Sequence, residues 1–258
     1  MMKRNSICAA ALCLVLMLPA CLLAENPVSL FKETYSKAVA GDAEAQQELG
    51  RMYFNGLGVS RDYREAVKWY EKAAGQGLAG AQFYLGVMYF KGEGVPKDDR
   101  EAVRWYTRAA EQGHAEAQFY LGVMCVKGEG IPGDYREAAK WYARAAGQGL
   151  AGAQFNLGVM YFNGEGVSKD DQEAVKWISK AALQGLAGAQ YNLGLMYARG
   201  YGVPKDGVQA YKWLDLAAVQ GIEKARELRD SVEKEMTPGQ VAEARRLSRE
   251  FRVENERP

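Results

Sequence analysis

The chain repeats itself every 36 residues. Residues 79–98 read AGAQFYLGVMYFKGEGVPKD and residues 151–170 read AGAQFNLGVMYFNGEGVSKD, with three letters changed. Laid against itself at that offset, the chain contains five copies. Ala-Gln recurs at 45–46, 81–82, 117–118, 153–154 and 189–190, and Leu-Gly at 49–50, 85–86, 121–122, 157–158 and 193–194. The five tryptophans stand at 69, 105, 141, 177 and 213. Self-similarity at this period marks stacked supersecondary units rather than one closed core.

Each copy reads as two helices. In the first copy Ala45, Leu49, Met52 and Tyr53 fall at helical spacing over about Ala43 to Asn55, and Gly56 and Gly58 stop the helix. The second helix is predicted to begin at Asp62, with Asp62 and Glu65 as a capping-box pair. The pair recurs as Asp98/Glu101, Asp134/Glu137, Asp170/Glu173 and Asp206/Gln209. Ala66, Trp69, Tyr70 and Ala73 line one face, and Gly75 and Gly77 end the helix. No segment alternates as a strand would. Two short helices cannot hold themselves together in water, so stacking must supply their stability. Small residues such as Gly50 and Ala66 let helices approach, and each tryptophan is expected to fill the space between units.

The ends depart from the pattern. Residues 25–42 contain VSLFKETYSKAVAG, which matches a second helix 36 residues early: Ala38 and Gly41 precede Ala74 and Gly77 by one period. Residues 222–258 lose the Leu-Gly and tryptophan signals. They are expected to form charged capping helices, with Thr237 as an N-cap and Pro238 in the first turn. Residues 1–24 form a third region, with Lys3 and Arg4 ahead of an uncharged stretch from Ile7 to Leu23 and a helix breaker at Pro19. This reads as a signal peptide cut after Ala24. LPAC at 18–21 offers a rival, a lipoprotein acylated at Cys21, and an uncleaved anchor is the third alternative.

Loss of the leader removes two of the 33 basic residues and leaves 31 against 32 acidic ones, a net charge of −1. No bulk pull toward nucleic acid is expected from that balance. Of four cysteines, Cys8, Cys13 and Cys21 belong to the leader and only Cys125 remains, so no internal disulfide is possible. The single histidine, His114, stands where the other copies have Leu78, Leu150 and Leu186. With one histidine and one mature cysteine, neither a metal nor any other cofactor is expected.

The full unit AGAQFYLGVMYFKGEGVPKDDREAVRWYTRAAEQG, residues 79–113, resembles the Sel-one-like repeat family, which is related to the tetratricopeptide repeats. All five copies match, from about 43 to 221, and the ending MTPGQVAEARRLSREF is similar to a terminal helix pair of bacterial members. The resemblance implies an all-α, right-handed solenoid of five 36-residue helix-turn-helix repeats, with an N-terminal half-repeat and C-terminal capping helices. It also implies an adaptor or scaffold that binds a protein or peptide, here exported to a bacterial periplasm or beyond, with membrane attachment only if Cys21 is lipidated. A cysteine-rich subgroup of the family has been linked to β-lactamase or penicillin-binding activity, but this chain lacks its paired cysteines. The hydrolase alternative would need an activated serine, and Ser-x-x-Lys occurs only at Ser29–Lys32 and Ser231–Lys234, without SDN or KTG partners. The repeated GEGV lacks the Gly-Lys-Ser/Thr of a phosphate loop.

Recurrent letters describe the scaffold, whereas specificity resides in letters that vary on one face. By the same resemblance, the first helix of each pair lines the concave surface. One column there reads Gln47, Phe83, Phe119, Phe155, Tyr191, and its neighbour Glu48, Tyr84, Tyr120, Asn156, Asn192. A third, before the glycine, reads Asn55, Lys91, Lys127, Asn163, Arg199. For the phenylalanines, packing and binding both remain open; for the third column, solvation and binding do. The rows suit an acidic peptide segment or a free carboxylate, or, in an alternative reading, aromatic binding of glycan or cell-wall fragments.

Overall fold

A computed structural model describes residues 26–255. The leader, including the LPAC motif, and residues 256–258 lie outside the described residues. Among the described residues there are thirteen α-helices and no strand. Helix α1 (Pro27–Val39) stands one period ahead of α3. The five pairs are α2 (Ala43–Asn55) with α3 (Tyr63–Gly75), α4 (Ala79–Lys91) with α5 (Asp99–Glu111), and α6 (Ala115–Lys127) with α7 (Tyr135–Gly147). They continue with α8 (Ala151–Asn163) and α9 (Asp171–Leu183), then α10 (Ala187–Arg199) and α11 (Gly207–Val219). Helices α12 (Glu223–Glu233) and α13 (Pro238–Asn255) follow. From α1 to α12 each helix packs on its neighbours in the chain, whereas α13 folds back onto α11. The result is an all-α solenoid. No helix of the described residues is long and apolar enough to cross a membrane.

The helix ends differ from the expected capping box in one respect. Asp62 does accept bonds from the amides of Arg64 and Glu65, at 2.9 and 3.1 Å. The reciprocal bond from Glu65 is replaced. The Asp62 amide donates instead to the Tyr53 carbonyl at 2.9 Å, and Glu65 receives the Lys68 ammonium. The same strap joins Asp98 to Tyr89, Asp134 to Cys125, Asp170 to Tyr161 and Asp206 to Tyr197. It ties the two helices of a repeat together through backbone alone, so Cys125 serves as well as tyrosine. A complete box does form at α13. Thr237 Oγ1 accepts from the Gln240 amide, while Gln240 Oε1 accepts from the Thr237 amide.

The tryptophans do pack between units, Trp105 against the core of α3 and α4 and Trp141 against that of α5 and α6, but their burial differs. Trp69 and Trp213 are buried, but Trp105, Trp141 and Trp177 are only half-buried. Their outer faces carry cations, for example Arg108 at 4.6 Å from Trp105 and Lys180 at 4.2 Å from Trp177. The space within each repeat is filled by the next residue, the column Tyr70, Tyr106, Tyr142, Ile178, Leu214, all nearly inaccessible. Each meets the in-helix glycine: a Cβ on Gly86 would lie 2.6 Å from the Tyr106 ring, and one on Gly158 the same distance from Ile178. Absence of a side chain therefore sets how closely the two helices approach.

A polar ladder that the sequence reading missed joins successive repeats. Gln118 is 4% exposed, yet both its amide nitrogen and its amide oxygen are hydrogen-bonded. Its Nε2 donates to the Ala110 carbonyl at 3.0 Å, and its Oε1 accepts from Gln148 at 2.8 Å. Gln46, Gln82, Gln154 and Gln190 repeat the arrangement with Gln76, Gln112, Gln184 and Gln220. Gln118→Leu is expected to cost about 1–3 kcal/mol, because a buried carbonyl and a donor lose their partner together. Urea unfolding followed by circular dichroism checks this; a change below about 0.5 kcal/mol would remove the ladder from the account of repeat stacking.

Candidate partner-binding face

The three variable columns lie on the first helices of the pairs, and they have different environments. The Phe83 column is largely packing. The Phe119 ring lies against Gly152, where a Cβ would come within 3.3 Å, and Phe155 lies against Gly188 at 3.6 Å. Each ring thus reaches the start of the next first helix. In the third copy Glu116 stands in place of that glycine, and Phe83 instead stacks on His114, with ring centroids 4.7 Å apart. His114 is also an N-cap, its Nδ1 accepting from the Ala117 amide at 3.4 Å. Burial pushes its pKa down, so the neutral ring that this bond needs is favoured; Glu116 opposes the shift. Its leucine counterparts make no side-chain cap bond.

The neighbouring column is coupled to the second helix of the preceding pair, fourteen residues earlier. Tyr84 stacks on Tyr70 with centroids 5.1 Å apart, and Tyr120 stacks on Tyr106 at 5.4 Å. In the next copy Asn156 hydrogen-bonds the Tyr142 hydroxyl. The Tyr70 and Tyr106 hydroxyls, by contrast, are buried without a partner among the described residues. Burial raises the pKa of all three tyrosines, that of Tyr142 to about 12, the Asn156 bond opposing the shift there. The change from Tyr84 to Asn156 between copies is therefore in part a packing change: an aromatic stack in one junction, a hydrogen bond in another. Asn192 follows Ile178 by the same fourteen residues, and Glu48 binds Arg51 in its own helix.

Only the third column is exposed along its whole length. Asn55, Lys91, Lys127, Asn163 and Arg199 are the last residues of their helices, each followed by a left-handed glycine that turns the chain away. Asn55 caps the Arg51 carbonyl at 3.0 Å, and Lys127 lies 3.7 Å from Glu129. Lys91 and Arg199 have no carboxylate partner among the described residues. A cation at a helix C-terminus is favoured by the helix dipole, which accounts for the charge without accounting for a column. Lys91 follows Tyr84 by seven residues, two helical turns, so cations and tyrosine edges run as parallel rows on one face.

The serines of the hydrolase alternative occupy surface positions. Ser29 is exposed near the start of α1 and donates to the Asn26 carbonyl at 2.7 Å, and Ser231 is exposed on α12. Cys125 is a buried free thiol whose pKa is pushed up by burial, which disfavours the nucleophilic thiolate. No group of three or more metal-ligating side chains converges among the described residues.

Comparison with known proteins agrees with this architecture. The Sel1 repeat family matches residues 43–78, 79–114, 115–150, 151–186 and 187–222. A Sel1 repeat protein from Oxalobacter formigenes is 34% identical with a TM-score of 0.72, the match covering 89% of this chain and 98% of that one. A protective antigen of uropathogenic Escherichia coli strains, displaying an SLR fold, is 32% identical with a TM-score of 0.60 over 88% of this chain. The match spans 56% of the length of the Escherichia coli protein. No curated protein sequence matches the chain.

Proposed function

Because the chain belongs to the Sel1 repeat family, whose members are generally protein-interaction scaffolds, we propose that it holds a protein or peptide partner on the face formed by its first helices. The observation that carries this reading is the exposed column of Lys91, Lys127 and Arg199, with the amides of Asn55 and Asn163 completing it. It alone of the three columns is spared from packing. The partner presents acidic side chains or a free carboxylate along an extended or helical segment. Lysines attract it as point charges, amides orient it, and the accessible edges of Tyr84 and Tyr120 add area. The basic start and uncharged stretch of residues 1–24 support export, which places that partner in the envelope or outside the cell.

The test is affinity capture with crosslinking from the native envelope, run in parallel with wild-type protein and Lys91→Ala/Lys127→Ala. A true partner binds the double variant about 2- to 30-fold more weakly, from two exposed contacts of about 0.2–1 kcal/mol each. Its binding also becomes less sensitive to salt, while the helical signal is unchanged. Equal affinity and equal salt dependence would move the partner to another face.

A further inference from the structure

The C-terminal helices enclose a second, independent feature. A cavity of about 360 Å³, open to solvent, lies between α11, α12 and α13. Four guanidinium groups line it, those of Arg229, Arg245, Arg249 and Arg252, against the carboxylates of Asp215 and Glu233. We propose that this cavity binds a phosphate group, as inorganic phosphate or as a phosphate monoester.

Placement of the arginines is the first reason. Ala244 and Ser248 form the buried stripe of α13, and Arg245, Arg249 and Arg252 run beside it at spacings of four and three residues. Like charges at those spacings repel one another on an isolated helix, and Glu233 and Asp215 meet Arg245 and Arg252 but not Arg249. The second reason is the state of each charge. Asp215 is committed internally: its Oδ1 accepts from Arg229 at 2.9 Å, its Oδ2 from the Ser248 hydroxyl at 2.6 Å, and Arg252 lies 3.9 Å away. Arg229 is further held by Asp230, outside the cavity wall, at 2.8 Å. Arg245 is fixed by the Tyr211 hydroxyl at 3.1 Å and by Glu233 at 2.7 Å. These contacts lock the walls. Arg249 has no ion-pair partner among the described residues, and Arg252 has only the long contact to Asp215. Two of the guanidiniums that line the cavity therefore retain uncommitted donors.

The chemistry follows from shape and charge. Guanidinium forks match tetrahedral oxyanions with paired hydrogen bonds. The wall carries an excess of two positive charges, which suits the phosphate dianion better than a singly charged carboxylate. The volume exceeds that of one phosphate group, which leaves room for an ester substituent.

Calorimetric titration of the full chain at pH 7.5 with inorganic phosphate, O-phosphoserine and acetate, at matched ionic strength, tests the proposal. Saturable binding of phosphate or phosphoserine is expected, with acetate at least about tenfold weaker. Arg249→Gln/Arg252→Gln is expected to weaken phosphate binding at least about tenfold while circular dichroism is unchanged, and Lys205→Gln, an exposed lysine outside the lining, to leave it unaltered. Tighter binding of phosphoserine assigns the spare volume to an ester group; tighter binding of inorganic phosphate assigns the free ion. Acetate binding as tightly as phosphate, or full phosphate affinity in the double variant, would overturn the assignment.

Discussion

Gly130→Ala is expected to destabilise the solenoid by about 3–5 kcal/mol. Gly130 has φ of +70°, where an L-residue is strained by about 1–2 kcal/mol. The larger cost is steric. A Cβ there would lie 2.2 Å from the carbonyl oxygen of Asp99 and 2.5 Å from its carbonyl carbon. Asp99 opens α5 of the previous repeat, so the obstruction is backbone and cannot rotate away. Gly58, Gly94, Gly166 and Gly202 make the same approach, at 2.0, 2.4, 2.1 and 2.1 Å. The loop of each repeat thus rests on the helix start before it. Gly147→Ala is the control: α7 ends there, and a Cβ meets nothing within 4 Å. It should change stability by no more than about 0.5 kcal/mol. Urea unfolding followed by circular dichroism measures both, and hydrogen exchange shows whether the loss is confined to the junction of the second and third repeats. Equal effects of the two substitutions would sink this reading.

Tyr106→Ala is expected to cost about 3–5 kcal/mol, whereas Trp105→Ala, one residue away, costs about half as much. Tyr106 is wholly buried against Gly86 and stacked on Tyr120, so truncation leaves a cavity in the middle of the array. Trp105 is half-buried, with Arg108 over its face. Tyr106→Phe separates the ring from the hydroxyl. Because that hydroxyl is buried without a partner, its removal should be neutral or stabilising by about 1 kcal/mol. Tyr142→Phe, which loses the bond to Asn156, should be destabilising by about 1 kcal/mol. Thermal and urea unfolding of the four variants decide the matter. A Trp105→Ala loss as large as that of Tyr106→Ala would make the half-buried tryptophan between repeats as important as the buried tyrosine within them.

Much of this architecture was legible in the letters because it depends on local chemistry. Helix ends are set by Asp62-type caps and Gly56-type left-handed glycines within a few residues of one another, and a 36-residue period states that each unit meets a copy of itself. The five pairs, α1 as a half-unit and the Thr237 cap of α13 follow from those signals. Contacts between residues far apart in sequence were not legible. Tyr84 and Asn156 look like variable surface until Tyr70 and Tyr142, fourteen residues upstream, are brought against them. Gln118 looks like a polar letter of a motif until the Ala110 carbonyl and the Gln148 amide close on it. Arg245, Arg249 and Arg252 look like unconnected charges until α13 turns back over α11 and lines one open cavity with them and Asp215. Side-chain identity specifies how a helix begins, ends and which stripe is apolar. Which partner each side chain meets depends on the distance between stacked backbones, and that distance is set by glycines such as Gly86 and Gly130 that add no atoms of their own.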